Sequence, residues 1–237
     1  MDTHLNINGF DIAAHFDDAS LRELLLPLLT ELSRRQRALN RRLIVLLAAP
    51  PGAGKSTLAA FLEQLSRSDA KLVPLQALGM DGFHFHQDYI LTHSVGDIPM
   101  QLVKGVPESF DAVKLRRALE TIQTQNVRFP YYDRNLHDVV EDAIPVHAPI
   151  ALIEGNWLLL DRPEWALPGD VRIFIDADES LLRDRLVERK IRGGASRADA
   201  ETHYNRTDGP NIRLCRECRR PADLILTMIS DGTYRKA

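Results

Sequence analysis

A glycine-containing loop directly follows an apolar run near residue 50, and this order constrains the fold more than any other feature of the chain. Residues 43–48 read LIVLLA and residues 49–57 read APPGAGKST. Glycines free backbone N–H groups to face phosphate oxygens, a lysine reaches the β- and γ-phosphates, and the hydroxyl after it ligates Mg²⁺. A helix beginning there adds the positive end of its dipole. The segment therefore predicts a buried strand, a phosphate-binding loop and a helix.

The loop makes a nucleoside triphosphate the first ligand to expect. The candidate contacts to its phosphates are Pro51, Gly52, Ala53, Gly54, Lys55, Ser56 and Thr57. Ala49 stands where such loops usually have their first glycine, and an alanine does not freely adopt a positive φ. The two prolines that follow are an alternative means of fixing the turn. The effect of Ala49 on the loop stays open at this point.

Composition restricts the classes of partner. The chain has 237 residues and a formal net charge of −3, so it is long enough for one large α/β domain and has no overall basic field to attract nucleic acid or an anionic membrane. It shows neither a signal-peptide pattern nor an apolar run near the roughly 20 residues that span a bilayer. We expect a cytoplasmic protein without nucleic-acid or membrane partners, and self-association as a homodimer stays open.

The two cysteines carry little functional information. Cys215 and Cys218 form a single C-x-x-C pair, without the second pair or the histidines that a zinc site requires. We interpret them as two reduced thiols, and their role stays open.

Five short apolar runs predict the core of the fold. They cover residues 43–48, 72–80, 150–153, 171–175 and 222–228, with helical stretches between them. Runs that are apolar at nearly every position are typical of strands buried on both faces, as in a parallel sheet covered by helices. The predicted fold class is therefore α/β, with a five-stranded parallel sheet.

The first 40 residues are predicted to form a helical extension packed on a main domain of residues 41–237. Leucines recur at helical spacing from Leu21 to Leu32. Ser20 and Glu23 have the spacing of a capping box at the start of this helix. Pro27 lies inside the leucine pattern, where it would kink the helix or begin a second helix at its first turn.

Two acidic residues follow predicted strands. Asp81 comes after residues 72–80 and Glu154 after residues 150–153. Because ligands bind beyond the carboxyl ends of parallel strands, both carboxylates should converge on the γ-phosphate. We predict Asp81 as the general base for an acceptor hydroxyl and Glu154 as a group acting through Mg²⁺ and its waters. The alternatives are an Asp-Gly turn and a plain strand-terminal carboxylate.

Two further segments are candidates for substrate binding. Residues 181–194, LLRDRLVERKIRGG, form a cationic helix that runs into a double glycine, and this predicts a hinged lid over about residues 183–207. Its closure would bring Arg189 or Arg192 onto the phosphates; the alternative is a solvated helix with i,i+4 ion pairs. Residues 129–138, FPYYDRNLHD, are rich in hydrogen-bonding groups and are predicted to form a substrate-binding loop.

Together these motifs resemble the phosphoribulokinase/uridine kinase/pantothenate kinase family of P-loop kinases. The resemblance covers most of the chain from Arg42 onward. It rests on residues 52–57 (GAGKST), 80–84 (MDGFH), 104–111 (KGVPESFD), 132–134 (YDR), 153–155 (IEG) and 220–225 (RPADLI).

The resemblance implies a three-layer P-loop NTPase fold, ATP with Mg²⁺, a small-molecule acceptor, Asp81 as catalytic base, Lys55 on the phosphates and a lid carrying Arg189 and Arg192. It implies adenine near Asn211 and Mg²⁺ held at Ser56 and Glu154 through water and phosphates. The implied acceptor pocket comprises His84, Lys104, Tyr132, Asp133, Arg134, His137 and Glu154.

The acceptor is less defined by these motifs. Residues 104–111 are similar to pantothenate kinase, whereas residues 154–160 (EGNWLLL) with 208–211 (DGPN) look more like a sugar-kinase-like branch associated with fructose transport. We interpret the chain as a kinase of a sugar or sugar-acid-like acceptor, with pantothenate or a nucleoside as alternatives. A P-loop ATPase acting on a partner protein is the alternative from another class, although such a protein has little use for a base at Asp81 and a polar loop.

Overall fold

The computed structural model describes residues 1–7 and 9–237 of the chain. The strands of this part are β1 (Asp2–Ile7), β2 (Phe10–His15), β3 (Leu43–Ala48), β4 (Leu75–Gly79), β5 (Ser94–Val95), β6 (Ile98–Pro99), β7 (Val127–Asp133), β8 (Asp138–Val146), β9 (Ile150–Gly155), β10 (Val171–Ala177), β11 (Leu224–Ser230) and β12 (Thr233–Lys236). The α-helices are α1 (Leu26–Arg37), α2 (Lys55–Ser68), α3 (Gln87–Thr92), α4 (Ala112–Ile122), α5 (Glu179–Arg192), α6 (Arg197–His203) and α7 (Gly209–Glu217).

The central sheet has six strands in the order β12-β11-β10-β3-β9-β4. The five strands from β11 to β4 are parallel, which confirms the predicted parallel sheet, and β12 is added antiparallel at the edge beside β11. All six residues of β3 are buried, as its continuous apolar sequence predicts for a strand with a neighbour on each side. The fold is therefore α/β with a mixed sheet.

Helices cover both faces of this sheet. On one face, leucines of α1, α2 and α5 pack with the strands in one buried cluster. On the other face, Leu115 and Leu119 of α4 pack with Trp157 and Trp165 in a second cluster. The strand register aligns Glu154 of β9 with Leu47 on one side and Gly79 on the other. This alignment brings the carboxyl ends of β3, β4 and β9 to the same edge of the sheet.

The N-terminal segment begins with a β-hairpin, β1 paired antiparallel with β2, which the sequence analysis did not predict. The predicted helix follows as a π-helical turn, Ser20–Leu25, and then α1, with Pro27 in the first turn of α1. The predicted capping box is wrong. Ser20 is 1% exposed, its backbone N–H and its hydroxyl both donate to Asp17, and its Oγ accepts a hydrogen bond from the Tyr234 N–H at 2.7 Å.

The segment predicted as a substrate-binding loop lies mostly in a second hairpin. Strands β7 and β8 pair antiparallel from Val127 with Val146 to Asp133 with Asp138. Residues 134–137 form the tip, and His137 there has a φ of 54°. Among residues 1–7 and 9–237, no helix combines the length and the apolar character that crossing a membrane requires.

Candidate active site

The phosphate-binding loop joins β3 to α2. Gly52 and Gly54 have φ values of +84° and +70°, which glycine adopts without strain. Gly54 is the residue before the first turn of α2, and no side chain caps that turn, so its N–H groups are available to an anion. Among the described non-glycine residues only His137 and Asp142 have a positive φ. Ala49 therefore has an ordinary backbone conformation, and the loop does not need a glycine there.

Ser56 and Glu154 meet beside the start of α2. The Ser56 hydroxyl donates to Glu154 Oε1 at 2.8 Å. Desolvation raises the pKa of Glu154 above its usual value, Lys55 opposes this effect, and Asp81 adds to it. The Ser56 hydrogen bond and Arg134 also favour the ionised form. Four residues predicted for the site, from three separate segments, thus interact electrostatically with the Glu154 carboxylate.

Asp81 lies in a short 3₁₀ turn, Met80–Phe83, that directly follows β4. Its side chain is exposed. A Cβ on the next residue, Gly82, would clash with the Pro130 carbonyl oxygen, so the glycine is required because the β7 backbone packs against this turn. The Asp-Gly pair therefore serves the packing of the turn and also leaves the Asp81 carboxylate open to solvent.

Two clefts meet at Asp81. We name them the phosphate-side cleft, of 340 Å³, and the acceptor-side cleft, of 500 Å³; Asp81, Tyr132 and Arg134 line both. The phosphate-side cleft is also lined by Asn6, Ile7, Gly9, Ser56, Ala59, Ala60, Glu63, Ala77, Leu78, Gly79, Gly82, Pro130, Tyr131, Ile144 and Glu154. The acceptor-side cleft is completed by His84, Gln101, Leu102, Lys104, Gly105, His137, Lys190 and His203.

Hydrogen bonds orient Lys104 in the acceptor-side cleft. Its Nζ donates to the Tyr132 hydroxyl at 2.8 Å, to Gln87 Oε1 at 3.1 Å and to the His137 carbonyl at 3.4 Å. It also lies 4.6 Å from the centroid of the Tyr132 ring. The segment that follows α3 and the tip of the β7–β8 hairpin are joined through this one ammonium group.

His84 forms the adjacent wall of the acceptor-side cleft. Its ring stacks on Phe110 at a centroid distance of 3.8 Å, and its Nδ1 lies 3.0 Å from the Ser109 carbonyl oxygen. Burial lowers the pKa of His84, with a partly offsetting effect from Asp81. The ring is therefore neutral near pH 7. Because a carbonyl oxygen only accepts, Nδ1 carries the proton and Nε2 is left as a hydrogen-bond acceptor.

The helical segment predicted as a lid places several residues near the site. Some of them were predicted from the sequence and others were not. Arg189 is exposed, but desolvation by nearby protein atoms lowers the pKa of its guanidinium. Asp208 and Asp81 oppose this lowering, and Arg134 adds to it. Arg189 is thus within electrostatic range of the site. Arg192 is the exposed last residue of α5. Neither Arg189 nor Arg192 is part of the lining of either cleft, as far as residues 1–7 and 9–237 show.

Three residues of this region were missed by the sequence analysis. Lys190 and His203 line the acceptor-side cleft. Arg185 lies beside the phosphate-binding loop, since its Nη2 would be 3.5 Å from a Cβ on Gly54. Arg185 precedes Arg189 by one helical turn, so the i,i+4 spacing in the sequence could have indicated it.

Two other predicted site residues lie apart from the clefts. Asn211 is 6% exposed in α7 and Asp133 organises the hairpin tip by accepting from the Asn135 and Leu136 N–H groups. Neither belongs to the lining of the two clefts in the described part of the chain.

The remaining candidate chemistry concerns metals and thiols. Cys215 donates to the Asn156 carbonyl oxygen at 3.1 Å, and burial raises the pKa of its thiol to about 12. Both cysteines are free. Within residues 1–7 and 9–237, no group of three or more His, Cys, Asp or Glu side chains is arranged to hold a metal ion.

The fold and the loop define a P-loop kinase. A crystal structure from Silicibacter sp. TM1040, named as a "putative fructose transport system kinase", is 29% identical, covers 86% of this chain and 98% of that chain, and has a TM-score of 0.76. YFH7 from Saccharomyces cerevisiae, a "putative P-loop containing kinase with a circular permutation", has a TM-score of 0.69 over 88% of this chain and 98% of that chain at 17% identity, which shows the shared fold.

Sequence relatives identify the family. "Uncharacterized protein YggC" of Escherichia coli is 42% identical over 99% of this chain and 98% of its own length. "Putative uridine kinase C227.14" of Schizosaccharomyces pombe is 28% identical over 83% and 87% of the two chains, and a "Pantothenate kinase" of Rhodopseudomonas palustris is 28% identical over 79% and 69%. No protein-family profile matches the chain. The chain belongs to the phosphoribulokinase/uridine kinase/pantothenate kinase family of P-loop kinases.

Proposed function

We propose that this protein transfers the γ-phosphate of ATP to a hydroxyl group of a small polar metabolite of the sugar or sugar-acid type. The observation that carries the proposal is the position of Asp81. Its carboxylate lies on the boundary between a cleft that contains Ser56 and Glu154 and a second cleft lined by hydrogen-bonding side chains. A general base for phosphoryl transfer to an alcohol has to contact both substrates, and Asp81 borders the spaces that both would occupy.

The phosphates of ATP would bind the loop from Pro51 to Thr57. The left-handed glycines and the uncapped first turn of α2 direct N–H groups towards an anion, and Lys55 supplies a positive charge. Arg185 and Arg189, on one side of α5, would add charge to the γ-phosphate when the lid closes.

The residues present also fit Mg²⁺. The Ser56 hydroxyl and the Glu154 carboxylate are oxygen ligands of the kind Mg²⁺ prefers, and they lie together at 2.8 Å. The Ser56 hydroxyl would hold the ion, and Glu154 would act through its waters. Bound there, Mg²⁺ neutralises charge that develops on the phosphates.

Asp81 would accept the proton of the acceptor hydroxyl as its oxygen bonds to the γ-phosphorus and the bond to the ADP oxygen breaks. Its exposed carboxylate is accessible to an acceptor in the acceptor-side cleft. His84, neutral and with Nε2 free to accept, would bind a further hydroxyl group of the acceptor, and the hydroxyl of Tyr132 would bind another of its polar groups. These groups favour a polyhydroxylated molecule.

An ATPase that transfers phosphate only to water is the competing hypothesis. It would leave the polar lining of the acceptor-side cleft without a use. The discriminating experiment measures ADP formation from ATP and Mg²⁺ with a panel of sugars, sugar acids, pantothenate and uridine, and without any acceptor. We expect one acceptor class to stimulate ADP formation strongly; a rate that no acceptor changes would support the ATPase.

A further inference from the structure

Positive charge in the acceptor-side cleft exceeds negative charge. Lys104, Arg134 and Lys190 line it, and Asp81 is the only carboxylate among its lining residues in the described part of the chain. Elsewhere on the protein, cations are commonly paired with carboxylates, as in Arg41 with Asp170 at 2.6 Å. Among residues 1–7 and 9–237, no ion pair of this kind joins any of the three cleft cations to a carboxylate, although Arg134 acts electrostatically on Glu154 and Lys190 on Asp208.

Neutral groups hold Lys104 in place. The three acceptors of its ammonium protons are a phenol, an amide and a backbone carbonyl, so its orientation is fixed while its charge is not compensated. The longest contact, 3.4 Å to the His137 carbonyl, is the one that a charged ligand atom would most readily replace, because charge-assisted hydrogen bonds are the stronger ones.

Tyr132 adds a second donor at the same point. Its hydroxyl oxygen accepts from Lys104 at 2.8 Å, which leaves the phenolic proton free to donate into the cleft. Lys104 and Tyr132 together present two donors and a full positive charge. Such a pair matches a carboxylate or a phosphate group better than a neutral hydroxyl.

We propose that the acceptor carries an anionic group, a carboxylate or a phosphate, which binds Lys104 and Tyr132 while another of its hydroxyl groups faces Asp81. The proposal rests on the proposed kinase function and narrows its substrate class to sugar acids or sugar phosphates. Neutral sugars would lack the group that Lys104 binds.

The test is calorimetric binding to the full chain saturated with Mg²⁺ and a non-hydrolysable ATP analogue, which keeps the phosphate-binding loop occupied. The probes are three- to six-carbon sugar acids and sugar phosphates, each compared with its neutral sugar or polyol. Lys104→Met removes the charge, Lys104→Arg keeps it, and Lys71→Met at an exposed lysine is the matched control.

We expect at least one anionic probe to bind more tightly than its neutral partner, with about a 10-fold or larger loss of affinity in Lys104→Met. Lys104→Arg should recover part of this loss, and Lys71→Met should bind like the wild type. Carboxylate-only or phosphate-only binding identifies the anion. Equal binding of neutral partners, no binding of any anionic probe, or full affinity in Lys104→Met would overturn the proposal.

A separate transfer assay keeps this proposal distinct from the kinase function. Phosphorylation of neutral acceptors with no preference for anionic ones would leave the kinase function standing and refute the anionic acceptor. Binding of anionic probes through Lys104 without any phosphoryl transfer would refute the kinase function and leave the anion site standing.

Discussion

At the scale of a single residue, the position of Glu154 has two opposing consequences for its carboxylate. Its position at the end of β9 brings it to Ser56 and the phosphate-binding loop, where an anionic oxygen is useful for Mg²⁺. The same position desolvates it, and desolvation raises the pKa of Glu154. In the absence of the ion, the charged form is therefore costly to the folded state.

Replacing Glu154 by Gln should stabilise the ligand-free protein at neutral pH and impair its activity. A carboxyl whose folded pKa lies above its unfolded value binds more protons when folded. Its contribution to stability is therefore greatest below the ordinary glutamate pKa of 4.5 and declines as the pH rises through the folded pKa. Glutamine removes that decline. We expect the melting temperature of Glu154→Gln to exceed that of the wild type by about 2–4 °C at pH 7.

The difference should vanish near pH 4, where Glu154 is protonated in the wild type. Calorimetric or fluorescence-monitored melting at both pH values measures it, and Glu120→Gln at an exposed position of α4 is the control. A melting temperature that falls at pH 7 would contradict the assigned cost of the charge.

The sequence was sufficient to predict site residues that lie at the ends of strands. It was not sufficient to predict site residues whose position depends on how helices pack over the site. Asp81 and Glu154 were predicted because the carboxyl ends of parallel strands meet at one edge. Lys190 and His203 were not, because their place in the acceptor-side cleft depends on how α5 and α6 pack over the site. Asn211, predicted by resemblance, lies in a buried helix position outside the lining of both clefts.

At the scale of elements, α5 places positive charge beside the phosphate-binding loop, where the Arg185 Nη2 would lie 3.5 Å from a Cβ on Gly54. Leu182 and Leu186 bury one side of this helix, and a Cβ on Gly52 would meet Leu186 at 3.0 Å. The helix thus packs directly on the phosphate-binding loop. Arg185 and Arg189 continue along the helix from this contact, whereas Arg192 lies at its exposed end.

Arg189→Ala should reduce kcat far more than Arg192→Ala. An arginine on the transferring phosphate is worth about 10³-fold or more in rate. Arg189 interacts electrostatically with Asp81 and Arg134, whereas Arg192 is the exposed last residue of α5. We expect a loss of about 10³-fold for Arg189→Ala and less than about 10-fold for Arg192→Ala in steady-state assays. A larger loss for Arg192→Ala would mean that lid closure rearranges α5 beyond the packing described above.

At the scale of the whole molecule, the N-terminal segment packs both on α2 and on β12 near the other end of the chain. The Phe16 ring stacks on Phe61 of α2 with centroids 3.7 Å apart, and Ser20 is hydrogen-bonded to the backbone of Tyr234 in β12. The division into an extension of residues 1–40 and a domain of residues 41–237 stays a prediction. These contacts lead us to expect one cooperative unit.

Phe16→Ala should lower the free energy of unfolding by about 3–5 kcal/mol, the usual cost of removing a buried phenyl ring, because Phe16 is 1% exposed. Phe10→Ala is the matched control, since Phe10 is 53% exposed on β2 and its loss should cost about 0.5 kcal/mol or less. Urea unfolding measures both. Two separate transitions in the wild type would contradict a single unit.

The fold was predictable where burial leaves a pattern in the sequence. All five parallel strands overlap apolar runs, because helices cover both faces of the sheet. The β1–β2 hairpin was missed because β2 is almost wholly exposed, so its sequence carries no alternation. Strand β12 was missed because its four residues, TYRK, pair at an edge and present no apolar run.

The central claim is that phosphate passes to a hydroxyl activated by Asp81. Its most direct test follows the label of γ-labelled ATP into acceptor product or inorganic phosphate, with wild type and Asp81→Asn, alongside the affinity of each for ATP with Mg²⁺. We predict that the wild type labels an acceptor, and that Asp81→Asn transfers phosphate about 10²-fold more slowly or worse with its affinity for ATP nearly unchanged. Label found only in inorganic phosphate, or unchanged transfer by Asp81→Asn, would contradict it.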